Sequence, residues 1–184
     1  MILIGADPGV EGAIAVLGGP VGDAVVYPMP VTKPAKGRAR GVYDLARILR
    51  LLAASTGTGV ATIVRPPVRV WIENLHAMPM KAGGSKANYG RGRAVAVLEM
   101  ACVALGLPYE LVPPQRWQRA ICPGRGSTKG RSVAAARRLF PGVSLLPTVR
   151  ARKAHDGLAD ALCIAEYGRR QLAGGELFAG KEAS

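Results

Sequence analysis

Apolar residues recur along this chain with two different periods, and the change of period marks its elements. Near the N-terminus they form short runs closed by turn residues. Positions 1–6 (MILIGA) predict a buried strand, DPGVEG a tight turn, and positions 13–17 and 24–28 a second and third strand. Short turns between three strands predict an antiparallel meander. Segment 30–41 carries Pro, Gly and four basic residues and predicts a surface loop. Positions 42–55 then show helical spacing through Leu45, Ile48, Leu49 and Leu52.

After a TGTG break, positions 68–72 are β-branched and apolar, which predicts a central strand ending at Glu73. A loop rich in Gly, Met and Lys is expected over 76–88. A helix of small residues follows over 89–105, stopped by Gly106 and Pro108, and then a fifth strand over 109–112. Helices are predicted over 114–121, 129–140 and from 157 to about 172. Strands joined by turns in the first part and separated by helices in the second predict a mixed five-stranded sheet flanked by helices on both faces. At 184 residues the chain is expected to form one domain, with an ordered core to about residue 173 and a short C-terminal tail.

Charge adds a partner to this picture. The formal net charge is +13, and the stretch from Leu111 to His155 holds ten Lys or Arg and no acid. That stretch also contains ordered-looking sequence, PPQRWQRAI and RSVAAARRLF, so a cationic face on folded elements is expected, suited to a nucleic acid. A membrane surface fits less well, because no basic amphipathic helix with a broad aromatic or Leu face and no lipidation signal is present. Cys102, Cys122 and Cys163 show no CxxC spacing, which argues against a disulfide framework or a zinc knuckle. Cys102 and Cys163 are expected to pack as small apolar residues inside helices. Neither a leader-like N-terminus nor a long uncharged run is seen, so a cytoplasmic location is expected.

Against this basic background, four of the twelve acids fall at informative places: Asp7 and Glu73 at strand ends, and Asp156 and Asp160 in HDGLADALCIAEYG. If the two strands are parallel neighbours, Asp7 and Glu73 lie side by side. Asp156 and Asp160, four apart, share one face of a helix. Like charges gathered in this way repel unless a cation lies between them, and divalent metal is the economical reason for them. Taken singly, each acid also has an ordinary reading, as a turn, a strand end or a favourable placement at a helix start.

These segments together resemble the RuvC-like Holliday junction resolvases of the ribonuclease H superfamily, particularly small phage members. The similarity runs from IGADPGVEGAIAV through the IE strand end, GRGRAVAVLEMA and VPPQRWQ to DGLADALCIAEYG. The resemblance implies a ribonuclease H-like fold and a homodimer that cuts four-way and other branched DNA. It also implies two Mg²⁺ or Mn²⁺ ions per site, which activate water and stabilise the leaving oxygen. Asp7, Glu73 and Asp160 match the family's metal ligands. The fourth ligand usually stands three residues before the last aspartate, where this chain has Gly157; Asp156 is the substitute, with His155 as backup.

Lys129 resembles a family lysine beside the scissile phosphate, where its charge would stabilise the transition state. A second basic position after the Pro-Pro is Gln118 here, with Arg119 adjacent. The loop after Glu73 lacks the aromatic wedge common in the family, leaving His76, Met78 and Met80 to enter the junction. Lys81, Lys86, Asn88, Arg91, Arg93, Arg116, Arg119, Arg125, Lys129 and Arg131 are the expected DNA contacts, most suited to phosphate and few to base edges. Recognition by branch shape is therefore expected. Two rival functions stand beside it: a ribonuclease acting on RNA–DNA hybrid or structured RNA, and a non-catalytic module that binds branched DNA.

Overall fold

The computed structural model describes residues 1–19, 22–32, 41–57, 66–78, 80–124 and 128–179. In chain order its elements are β1 (Ile2–Asp7), β2 (Ala13–Gly19), β3 (Gly22–Pro28), β4 (Val31–Thr32), β5 (Val42–Tyr43), α1 (Leu45–Thr56) and β6 (Val68–Glu73). Then follow α2 (Met80–Ala104), β7 (Tyr109–Val112), α3 (Pro114–Ile121), α4 (Thr128–Leu139) and α5 (Asp156–Ala179). Five strands form one sheet in the order β3-β2-β1-β6-β7, while β4 and β5 pair separately. The meander β1–β2–β3 is antiparallel; β1–β6 and β6–β7 are parallel. This is the mixed sheet that the order of elements predicts.

Alternation along the strands sorts the core into two layers. Ile2, Ile4, Ala6, Ile14, Val16, Val70 and Ile72 meet Ile48 and Leu52 of α1 and Leu98, Ala101 and Cys102 of α2. Leu3, Ala13, Ala15, Leu17 and Trp71 face the opposite way, onto α3, α4 and α5. Asp7 and Glu73 continue the second set, being an even number of residues from Leu3 and Trp71. Their side chains therefore leave the sheet on the α5 side.

α5 lies against the sheet at backbone distance. A Cβ built on Gly5 would overlap Ala161 O and Ala165 N, and one on Gly168 would overlap the Trp71 ring. Gly157, Ala161, Ala165 and Gly168 thus form a small-residue seam that lets the helix settle on β1 and β6. Glu166, buried on this helix, takes Arg169 (2.6 Å) and Arg170 (2.8 Å), and Arg170 also donates to Ala120 O of α3 at 3.3 Å. A buried acid is here satisfied by two guanidiniums and helps tie α3 to α5.

Three boundaries differ clearly from the expected ones, one of them the end of α5, at Ala179 where about 172 was expected. Val42 and Tyr43 pair with Val31 and Thr32, and the helix starts only after Asp44, whose Oδ1 accepts from Arg47 N at 3.0 Å. Val and Tyr suit either period, so the cap at Asp44 was the discriminating signal. The loop expected over 76–88 is mostly helix. α2 already begins at Met80 and carries a break at Gly84 (φ 62°, ψ 167°), a conformation that glycine adopts without penalty. Among the described residues no helix is long and apolar enough to cross a membrane.

Candidate metal centre and nucleic-acid face

The register of β1 on β6 runs from Ile2↔Val68 to Ala6↔Ile72, so the next residue on each strand is the acid: Asp7 and Glu73. The DPG turn that follows Asp7 is fixed from three sides. Gly9 N–H donates to Asp7 Oδ1 at 3.2 Å, Gly12 N–H closes the turn on Gly9 O at 2.8 Å, and Tyr43 Oη donates to Pro8 O at 2.9 Å. Burial, with the charge of Asp7 adding to it, pushes the Tyr43 hydroxyl up to about 12, so it remains a donor at neutral pH.

α5 enters over this turn. His155 precedes the helix, its N–H donating to Leu145 O at 2.8 Å and its carbonyl accepting from Ala159 N at 3.4 Å. A Cβ on Gly157 would run into Glu11 O and approach Gly12 Cα at 2.9 Å and Asp7 Oδ2 at 3.2 Å. Gly157, three residues before Asp160, is therefore a close contact between helix and turn. A side chain there would separate α5 from β1. Asp160, one helical turn on, is carried to the same end of the sheet.

Electrostatics shows how near these groups stand. Burial pushes the Asp7 carboxyl above its usual range, opposed by the Gly9 hydrogen bond and by the charge of His155. Burial likewise raises Glu73, to about 7; Asp7 and Asp160 add repulsion, and a hydrogen bond from Trp117 opposes them. Glu73 is 9% exposed. Glu73 therefore feels two further carboxylates in a poorly hydrated place, which costs free energy unless protons or a cation neutralise them.

His155 Nδ1 is buried and has no hydrogen-bond partner, while Nε2 lies 3.5 Å from Glu11 Oε2. The charge of His155 registers on Asp7. Hard oxygen donors with an adjacent imidazole suit Mg²⁺ or Mn²⁺ in donor chemistry. Among the described residues no three His, Cys, Asp or Glu side chains stand together as a formed metal cage.

The pH dependence of stability follows from Glu73. Its folded pKa lies above the unfolded value, so the folded state retains a proton that the unfolded chain gives up. This contribution is complete below about pH 4.5 and is lost as pH rises through about 7. In EDTA, the melting temperature of the wild type is expected to fall between pH 5 and pH 8 by more than that of Glu73→Gln. Parallel curves for the two proteins would show that Glu73 does not titrate in this way.

The expected DNA contacts divide by what the structure does with them. His76, Met78, Lys86, Arg93, Arg116 and Arg119 are exposed. Asn88 is engaged elsewhere: its Oδ1 accepts from Met78 N at 2.9 Å and its Nδ2 donates to Met78 O at 2.8 Å, a two-point clamp on the loop after Glu73. Arg131 donates through Nη1 to Cys122 O and Gly124 O, both at 2.9 Å, closing the end of α3. Arg91 is half-buried, with Nη1 covered. Lys129 falls in the first turn of α4 and Lys81 in that of α2, and the side chains of both lie outside the described residues, as does Arg125 entirely.

Three features escaped the sequence reading: Tyr43 on Pro8, the Asn88 clamp, and Trp117, whose Nε1 donates to Glu73 Oε1 at 3.0 Å. Cys122 and Cys163 also come together, their sulfurs 3.8 Å apart in the core. Cys102 and Cys163 are buried in α2 and α5, as expected.

No family model matches this chain, and no curated protein matches it in sequence. Solved structures do match it. A Thermus thermophilus RuvC structure superposes with a TM-score of 0.55 at 21% identity, covering 93% of this chain and 96% of that one. T. thermophilus RuvC in complex with Holliday junction substrate gives a TM-score of 0.54 at 17% identity, with the same coverage of both chains. The mixed sheet with its flanking helices, over nearly the whole length of both chains, is that of RuvC: this protein has a RuvC-like fold.

Proposed function

We propose that this chain is a divalent-metal-dependent endonuclease that cuts four-way and other branched DNA near the branch point. One observation carries the reading. Asp7 and Glu73 leave parallel neighbouring strands on the face where α5 brings Asp160, in a fold shared with a protein solved on a Holliday junction. Asp7, Glu73 and Asp160 would hold the metal, with Asp156 or His155 completing the set. When bound, Mg²⁺ or Mn²⁺ supplies an activated water and positive charge for the leaving 3′-oxygen.

The chain's own residues do the rest. The β1–β6 ladder and the pinned DPG turn hold the backbones of the two acids in fixed relation, which leaves only their side chains to be ordered when metal and phosphate arrive. Exposed Lys86, Arg93, Arg116 and Arg119 offer contacts to the phosphate backbone, and Lys129 a point charge at the scissile group. Met78, whose peptide groups Asn88 holds, is an exposed apolar side chain available to enter the branch.

A homodimer is part of the proposal. α2 exposes Tyr89 (72%), Met100 (63%) and Val103 (60%) along one side, apolar surface of the kind that a second copy covers.

The test compares labelled four-way, three-way and linear duplex DNA, with and without Mg²⁺. Paired nicks on opposed strands of branched substrates, only with metal, are expected. Faster digestion of an RNA–DNA hybrid would move the assignment to a ribonuclease. Salt-sensitive junction binding that gives no product in any metal would make the chain a binding module.

A further inference from the structure

The sequence has two tryptophans, and the structure treats their N–H groups in opposite ways. Trp71 Nε1 is buried with no hydrogen-bond partner, its ring lying under Gly168. Trp117 is fully buried, at 0% exposure, yet its Nε1 is aimed at Glu73 Oε1, 3.0 Å away. Local sequence produces this aim. β7 runs parallel to β6 with Val112 opposite Glu73, and Pro113 and Pro114 then end the strand and start α3. On that short helix Trp117 and Ile121 turn inward, while Arg116 and Arg119 remain exposed. The indole is thus delivered to the carboxylate by a strand pairing and a proline-started turn of helix.

We propose that Trp117 is a positioning residue for the metal centre: its indole N–H holds Glu73 by Oε1 and fixes the orientation in which the carboxylate meets the cation. The inference rests on the metal-dependent reading given above. A carboxylate has two oxygens, and one neutral donor on the first leaves the second for the metal. An indole N–H suits this task because it cannot accept, cannot ionise and has a rigid direction. A lysine in its place would compete with the metal as a counter-charge. Partners of this kind typically change metal affinity about 10- to 100-fold when removed.

The experiment exchanges the N–H alone. Replacing Trp117 by benzothienylalanine puts sulfur where the N–H stood and retains the bicyclic shape; Trp117→Phe is the encoded counterpart, and benzothienylalanine at Trp71 is the control. Mn²⁺ binding is measured by the electron paramagnetic resonance signal of the free ion, without DNA, and four-way junction binding is measured in EDTA. The Trp117 variants are expected to bind Mn²⁺ about tenfold more weakly, with junction binding within twofold of wild type and no change from the Trp71 exchange. Unchanged Mn²⁺ affinity in a folded Trp117 variant, or equal loss at both tryptophans, would overturn the proposal. If wild type and Asp7→Asn bind Mn²⁺ alike, the metal-centre reading itself fails and this inference falls with it.

Discussion

Asp7→Asn is expected to reduce junction cleavage by roughly a thousandfold, equivalent to about 4 kcal/mol of transition-state stabilisation, and to leave junction binding in EDTA within a few-fold of wild type. The substitution keeps the shape of the side chain and an oxygen for the Gly9 N–H, so the turn survives. It removes a charge from a place where burial already disfavours one. The metal-free variant should therefore melt at or above the wild-type temperature, which separates lost chemistry from lost fold. More than a tenth of the activity remaining would remove Asp7 from the centre. The same Mn²⁺ titration on His155→Ala and Asp156→Asn identifies the fourth contributor, which is the variant with the larger loss.

The second large effect is on the fold. Gly5→Ala puts a methyl group where Ala161 O and Ala165 N already stand, both of them backbone atoms of a helix that cannot yield by rotating a side chain. The helix must move off β1, at a cost of about 3 kcal/mol, or roughly 6–12 °C in melting temperature for a domain of this size. Gly142→Ala, where a Cβ meets nothing within 4 Å, is the matched control and should change stability by less than about 0.5 kcal/mol. Because α5 also carries Asp160, Gly5→Ala should weaken Mn²⁺ binding even at temperatures where the variant is folded. Equal melting temperatures for the two alanine variants would show that α5 does not sit on Gly5 as described.

Much of this arrangement is legible in the sequence, for reasons that can be located. Apolar runs bounded by turn residues give β1, β2, β6 and β7 to within a residue or two, and Pro113–Pro114 marks the start of α3. The placement of Asp7 and Glu73 follows once β1 and β6 are parallel neighbours, which topology rules favour. What stayed hidden depends on distance along the chain or on missing atoms. Trp117 and Glu73 are 44 residues apart, and nothing in PPQRWQ marks one aromatic as a donor to an acid. Asn88 in a run of Lys, Arg and Gly suggests a phosphate contact, whereas its amide has the two-way valence that closes on a peptide unit. Gly157 looks like a lost ligand until the turn beneath it is seen.

The seam between α5 and the sheet works like a vernier. One residue inserted between Gly157 and Gly168 would advance the rest of the helix by 1.5 Å and turn it by about 100°, carrying bulkier side chains onto Gly5 and Trp71. In this chain, insertions are therefore expected to be tolerated in the connections between elements and not within the seam. The spacing Gly-x₃-Ala-x₃-Ala-x₂-Gly, starting just after Asp156, is then a mark by which distant relatives could be recognised where the carboxylates themselves have shifted.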